Sequence, residues 1–256
     1  MTLAILSSCS NEKKVLVLYY SQTGATKTVA EVFGTKLNAD VVSIDVEEAY
    51  DGTFDETVAR CLKEQQDGIV PTLKPIDVNV KDYDVIFLGY PVWFGTYAPP
   101  VGALLNEEKF EGRTIVPFCT FGSGGLDTSS NDLKKALPGA VVMEGYGVRN
   151  ARISSAPAEV ERFLIANGYI EGETEAVPDY SEQQPVTEEQ AAIFEEACSG
   201  YQFPLGTPVS CGLRETPWGT EYLFTAQNAS ADGQVSQSSI YVTVADGKAE
   251  FTQVVR

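Results

Sequence analysis

The chain has 256 residues, room for one full α/β domain and a smaller companion, and its formal net charge of −18 argues against nucleic acid, whose phosphates an acidic surface repels. It contains no histidine, which removes Ser-His-Asp and Cys-His hydrolase schemes and histidine metal sites together. The five cysteines, Cys9, Cys61, Cys119, Cys198 and Cys211, form no Cys-x-x-Cys pair, which argues against zinc ribbons, iron–sulfur clusters and thioredoxin-type centres and leaves any redox chemistry to a bound cofactor.

Residues Leu3 to Leu6 are a brief apolar run ending in Leu6-Ser7-Ser8-Cys9. That ending resembles the lipobox of bacterial lipoproteins, which implies a lipid anchor through Cys9 and residence at the bacterial cell envelope. The run is shorter than the apolar core of a secretory signal and lacks its basic flank, and a cytoplasmic protein is the alternative. Residues 1–14 are thus read as a lipoprotein-like segment and tether.

Val15 to Tyr20 is an unbroken apolar run rich in β-branched and aromatic residues, which reads as a strand buried on both faces of a parallel sheet. From Thr26 onward Val29, Val32, Phe33 and Leu37 recur at helical spacing. Between them, Ser21 to Thr26 carries three hydroxyls and a glycine of the kind that cap a helix start. Free N–H groups and the positive end of a helix dipole converge there, so the turn reads either as an ordinary βα loop or as a phosphate seat. Asp40 to Val46 predicts a second strand, followed by an acidic loop and a helix near Glu56 to Glu64 that carries Cys61 as a core or half-buried thiol.

Asp84 to Gly89 predicts the third strand. Tyr90 to Pro100 then combines four aromatics, three prolines and a glycine, which reads as a loop whose rings either cover the core or stack on a flat ligand. Pro99 to Leu105 begins a helix with proline in its first turn. Arg113 to Cys119 predicts the fourth strand, opening into Thr120-Phe121-Gly122-Ser123-Gly124-Gly125. Glycines at such density permit close approach or let N–H groups turn inward, with a flexible loop as the alternative. Asn131 to Leu137 suits a short helix stopped by Pro138 and Gly139. Ala140 to Met143 suits a fifth strand, Tyr146 to Arg152 an extended continuation, and Pro157 to Asn167 an amphipathic helix ended by Gly168.

Strand and helix alternate five times, which predicts a doubly wound five-stranded parallel sheet of order 2-1-3-4-5. The loops leaving strands one, three and four would then gather at the topological switch point. Ser21-x-Thr23-Gly24-x-Thr26 directly after the first strand resembles the phosphate loop of the flavodoxin family, which binds flavin mononucleotide (FMN); neither a Walker loop nor a Gly-x-Gly-x-x-Gly fingerprint is present. The resemblance covers Val15 to about Gly168. It implies that Ser21, Gln22, Thr23, Gly24, Ala25 and Thr26 hold the FMN phosphate. It further implies that Pro91, Val92, Trp93, Phe94, Gly95 and Tyr97 flank the ring; because a glycine reorients at little cost, the Gly95 carbonyl is expected to reach flavin N5. Thr120, Phe121, Gly122, Ser123, Gly124 and Gly125 would close the pyrimidine side.

Flavodoxins carry acidic residues beside the stacking tryptophan, where this chain has Gly95-Thr96-Tyr97, and an aromatic third loop, where it has Phe121 alone among glycines. In that respect the chain resembles envelope-associated flavodoxin-like proteins and flavin-dependent quinone reductases. The resemblance implies an FMN-binding electron-transfer protein whose redox partner is a protein or a quinone, with its potential lowered by surrounding negative charge. A flavin-dependent NAD(P)H or quinone reductase, and a flavin-free envelope lipoprotein that uses the scaffold for binding, are the alternatives. No residue is expected to act as nucleophile or general base.

Residues 15–170 therefore form the predicted FMN-binding domain. Glu171 to Val186 lacks an apolar period and reads as an acidic linker. Residues after 170 hold 3 Lys and Arg against 14 Asp and Glu, a formal −11. Thr187 with Gln190 predicts a capping box for a helix to about Ser199, and strands are expected at Thr207 to Arg214, Thr220 to Gln227, Ser236 to Ala245 and Lys248 to Val255. Asp246-Gly247 suits a tight hairpin. The region 187–256 is thus a small α+β unit, one helix on an antiparallel meander, in which Cys198 and Cys211 are either bridged or independently buried.

Overall fold

A computed structural model describes residues 13–122, 125–173, 176–229 and 234–255; Cys9, Ser123 and Gly124 lie outside the described residues. The first sheet forms around β1 (Val15–Tyr19), β2 (Asp40–Ser43) and β3 (Val85–Trp93), with the β3–β4 hairpin closed by β4 (Thr96–Tyr97). It continues through β5 (Thr114–Phe121), β6 (Val141–Val142) and β7 (Tyr146–Arg149). Its order is β2-β1-β3-β5-β6, with β7 also on β5, and every pairing except the hairpin is parallel. This is the 2-1-3-4-5 winding expected, with two additions.

The first addition corrects the reading of Tyr90–Pro100 as a loop. β3 runs on to Trp93 and turns back through Phe94 (φ 52°) and Gly95 (φ 83°), the two left-handed positions of a tight hairpin. The second is the division of the fifth strand. Arg113 and Ile115 use their carbonyls toward β6, accepting from Val141 and Met143, and Pro117 lies at the next position on that side of β5 with no N–H to offer. Gly145 passes so close to Pro117 that a Cβ on it would stand 2.2 Å from the Pro117 carbonyl oxygen. Pairing resumes at Phe118–Tyr146.

Alternation along each strand feeds two cores. Val17, Phe87, Val116 and Phe118 pack against α1 (Ala25–Leu37) and α5 (Ala156–Ala166) through Phe33, Val160 and Leu164. Leu16, Leu18, Leu88 and Ile115 pack on the opposite face with Cys61 of α2 (Phe54–Asp67), Leu104 of α3 (Pro99–Glu107) and Leu133 of α4 (Leu126–Ala136). Helices on both faces explain why these strands read as continuous apolar runs.

In the C-terminal unit, α6 (Glu188–Cys198) starts with the expected capping box of Thr187 and Gln190. It covers one face of an antiparallel sheet of β9 (Thr207–Thr216), β10 (Gly219–Ala229), β11 (Val235–Ala245) and β12 (Lys248–Val255). The supposed linker is partly structured: Ser181 donates its N–H to the Leu213 carbonyl at 2.8 Å, and β8 (Gln184–Pro185) adds an edge strand to β9. Proline is tolerated there because an edge has no second partner to satisfy. Asp246 and Gly247 take positive φ values of 51° and 75°, the turn expected of that pair.

Cys198 and Cys211 are free thiols, not a bridge. Burial pushes both up to about 11. Alkylation of Cys198 in the native protein, mapped by peptide mass, is therefore expected to keep rising about tenfold per pH unit to about pH 10, whereas an ordinary thiol levels off near pH 8.5. A plateau below pH 9 would contradict that burial.

Candidate functional site

The turns leaving β1, β3 and β5 meet at the carboxyl rim of the first sheet. Tyr19 lies beside Gly89, and Pro91 beside Thr120. The approach of β3 to β5 is close enough that a Cβ on Gly89 would stand 2.1 Å from the Phe118 ring. Tyr20 donates its N–H to the Gly89 carbonyl at 3.0 Å, and its ring meets Trp93 edge-on at 5.9 Å. Across 94 residues of sequence, the Thr26 and Thr120 hydroxyls are hydrogen-bonded at 2.9 Å with both side chains buried. Three separate sequence signals thus become one rim.

The first turn is shaped by Gly24, whose φ of +94° is costly for any side chain and which would point a Cβ into open space. Its N–H donates to Ser21 Oγ at 3.2 Å, while no side chain caps α1. The expected hydroxyl cap is therefore absent. Instead the first-turn N–H groups of Ala25 and Thr26 keep the free donors and positive end of the helix dipole. Thr23 is exposed; Ser21, Gly24 and Ala25 are half-buried. Gln22 donates Nε2 to the Tyr50 carbonyl at 2.7 Å and to Thr57 Oγ1 at 3.1 Å. Thr26 is buried and tied to Thr120.

At the second turn, Trp93 is held edge-on by Tyr20 and by Tyr50, the latter at 5.3 Å, so its faces are free of parallel aromatic partners. Phe94 is 63 % exposed at the hairpin tip beside Gly95. Pro91, Val92 and Tyr97 are half-buried, and Tyr97 packs edge-on with Tyr90 at 6.2 Å. Behind Trp93 lies a layer that sequence reasoning missed. The Tyr50 hydroxyl donates to Glu64 Oε2 at 2.7 Å, Arg60 donates Nε to Glu64 Oε1 at 2.7 Å, and the Arg60 guanidinium lies 3.9 Å over the Tyr50 ring. Burial, then the Glu64 hydrogen bond, raises the Tyr50 phenol above its ordinary range, so it stays a neutral donor. The one sequence signal for this layer is Thr53-x-x-Glu56, a capping box that starts α2 immediately after Tyr50.

At the third turn, Phe121 is 4 % exposed and packs in the core, leaving its backbone at the rim. Gly122 is exposed, its carbonyl accepting from Arg149 Nε at 3.3 Å, and Gly125 precedes α4 in extended conformation. Arg149 is the second participant that sequence reasoning missed.

These residues fit a flat phosphorylated ligand: an uncapped helix start with a left-handed glycine and open space before it, a half-buried aromatic ring with no parallel aromatic partner, and a glycine-framed turn opposite. A cavity of about 660 Å³ lies elsewhere, between α5, the residues Glu173, Ala176 and Val177, and the β9–β10 turn at Trp218.

Residues 14–161 match the family model described as Flavodoxin. Among solved structures, a protein from Bacteroides eggerthii assigned as a flavoprotein is 28% identical, with a TM-score of 0.50 over 58% of this chain and 98% of its own. One so assigned from Bacteroides uniformis is 23% identical with a TM-score of 0.52 over 58% and 98%, a likeness of fold alone. A Gluconacetobacter diazotrophicus protein named NAD(P)H dehydrogenase (quinone) is 33% identical over 94 residues, 37% of this chain and 46% of its own length. The chain thus spans about half the length of the curated relatives it matches. With the winding, the rim and a family match covering more than half of its residues, this chain belongs to the flavodoxin family.

Proposed function

We propose that this protein binds FMN at the rim formed by Ser21–Thr26, Pro91–Tyr97 and Thr120–Gly125 and works as an electron-transfer protein. The observation that carries the reading is the Thr26–Thr120 hydrogen bond, which fixes the uncapped start of α1 against the glycine-rich turn. When bound, FMN supplies the one- and two-electron chemistry that this chain's own side chains lack. The start of α1 binds the phosphate, Trp93 orients and shields the ring, and Gly95, at a left-handed position, presents its peptide at the hairpin tip. The formal charge of −18 disfavours further negative charge at the ring and lowers the potential.

The expected result of adding FMN and separating free from bound by gel filtration is one FMN retained per chain. Complete loss of flavin, with the protein colourless throughout, would favour the flavin-free binding reading. The 33% identity to a quinone dehydrogenase favours a second reading, an NAD(P)H:quinone reductase. Steady-state oxidation of NAD(P)H by a quinone supports the reductase; FMN binding without turnover supports the carrier. The Leu6–Cys9 sequence supports envelope anchoring through Cys9, tested by detergent-phase partitioning of wild type against Cys9→Ser.

A further inference from the structure

β12 lies against the cofactor rim, and one arginine connects the two. Arg149 closes β7, beside Phe121 at the end of β5. Its Nε–H donates to the Gly122 carbonyl at 3.3 Å, and Nη1 donates to the Phe251 carbonyl on β12 at 2.9 Å. The guanidinium lies 4.2 Å over the Phe251 ring and 5.4 Å from that of Tyr201. No carboxylate among the described residues forms an ion pair with it. A half-buried cation held only by carbonyls and π-faces is costly to keep for general adhesion; burial lowers its proton affinity, and its remaining value is geometric.

The other described end of the turn meets the same strand. A Cβ on Gly125 would stand 3.7 Å from Gln253 Nε2 on β12. Arg152, bonded to Glu159 at 2.7 Å, also reaches Glu250 of β12 at 3.7 Å. We infer that Arg149 is a positioning residue through which β12 of the C-terminal sheet holds the glycine-framed turn at Gly122 ready for FMN, so that cofactor binding and docking of this sheet reinforce one another. This rests on the FMN reading above. A glycine has more backbone freedom to lose than any other residue, and fixing the Gly122 carbonyl before a ligand arrives removes part of that ordering cost. Coupling of this kind is reciprocal: what the docked sheet does for FMN, FMN does for the sheet. The planar fork suits arginine, since one guanidinium donates to two carbonyls on separate elements in fixed geometry.

Hydrogen exchange on the full chain, with and without saturating FMN, tests this. In the wild type, FMN is expected to slow exchange both at 20–27 and at 249–254. In Arg149→Gln, protection at 20–27 remains, protection at 249–254 disappears, and FMN affinity falls about 5- to 20-fold. Arg162→Gln, which removes the guanidinium stacked 4.0 Å over Trp218 away from the rim, is expected to behave as wild type. Protection at 20–27 without any at 249–254 in the wild type overturns the inference while leaving the cofactor reading intact, and needs no variant to fold. Equal FMN affinity in Arg149→Gln and wild type overturns it too. No protection at 20–27 overturns both readings.

Discussion

Phe33→Ala is expected to destabilise the first sheet and its helices by about 3–5 kcal/mol, the cost of emptying a filled aromatic site. Phe33 is fully buried on α1, with Phe118 at 4.8 Å, Phe87 at 5.1 Å and Tyr146 and Phe163 each at 6.1 Å. It joins strands β3, β5 and β7 to α5, so no single neighbour can collapse into the space. For a unit of this size the loss corresponds to a fall in midpoint of about 6–20 °C by near-ultraviolet dichroism. Because α1 also begins at the proposed phosphate seat, FMN at a hundred times its Kd should return about 2.7 kcal/mol. A loss below about 1 kcal/mol would mean that α1 does not pack on the sheet as described.

Trp93→Ala is expected to weaken FMN binding by about 1.5–3 kcal/mol, roughly 10- to 150-fold, the combined worth of buried ring area and aromatic stacking. The ring is pre-positioned, since Tyr20 and Tyr50 meet it edge-on at 87° and 72° and Glu64 holds Tyr50. Little rotamer freedom then remains to be lost on binding. Trp93→Phe should retain most of the affinity, because a face remains. Unchanged affinity in Trp93→Ala, measured by equilibrium dialysis, would place the ring elsewhere.

The buried strands were legible because helices cover both faces, and runs such as Val15–Tyr19 and Val85–Tyr90 have no reason to alternate. The hairpin at Trp93 was not. Its first turn position is Phe94, a residue rarely held at positive φ, whereas Asp246-Gly247 announces its turn by composition. The start of α4 was hidden for a different reason: its buried early positions are Ser129 and Ser130, so an apolar period surfaces only at Leu133. The expectation placed the start at Asn131, five residues late.

At the rim, the turns could be read from residue type, but the purpose of their side chains could not. The Thr26 hydroxyl is bonded to that of Thr120, and the Gln22 amide binds the loop at Tyr50, partners that no local pattern announces. Arg149 carries no local pattern that marks it, and Tyr50 meets Glu64 through the fold, the capping box that starts α2 and the i,i+4 spacing of Arg60 and Glu64 being the local traces of that layer.

The central claim is that the rim is one site for one FMN with Trp93 beside the ring. Titrating FMN into Trp218→Phe, in which Trp93 is the remaining tryptophan, and following its fluorescence tests this most directly. The account predicts saturable quenching with one FMN per chain. Full binding with the Trp93 emission unchanged, or no saturable binding, would contradict it.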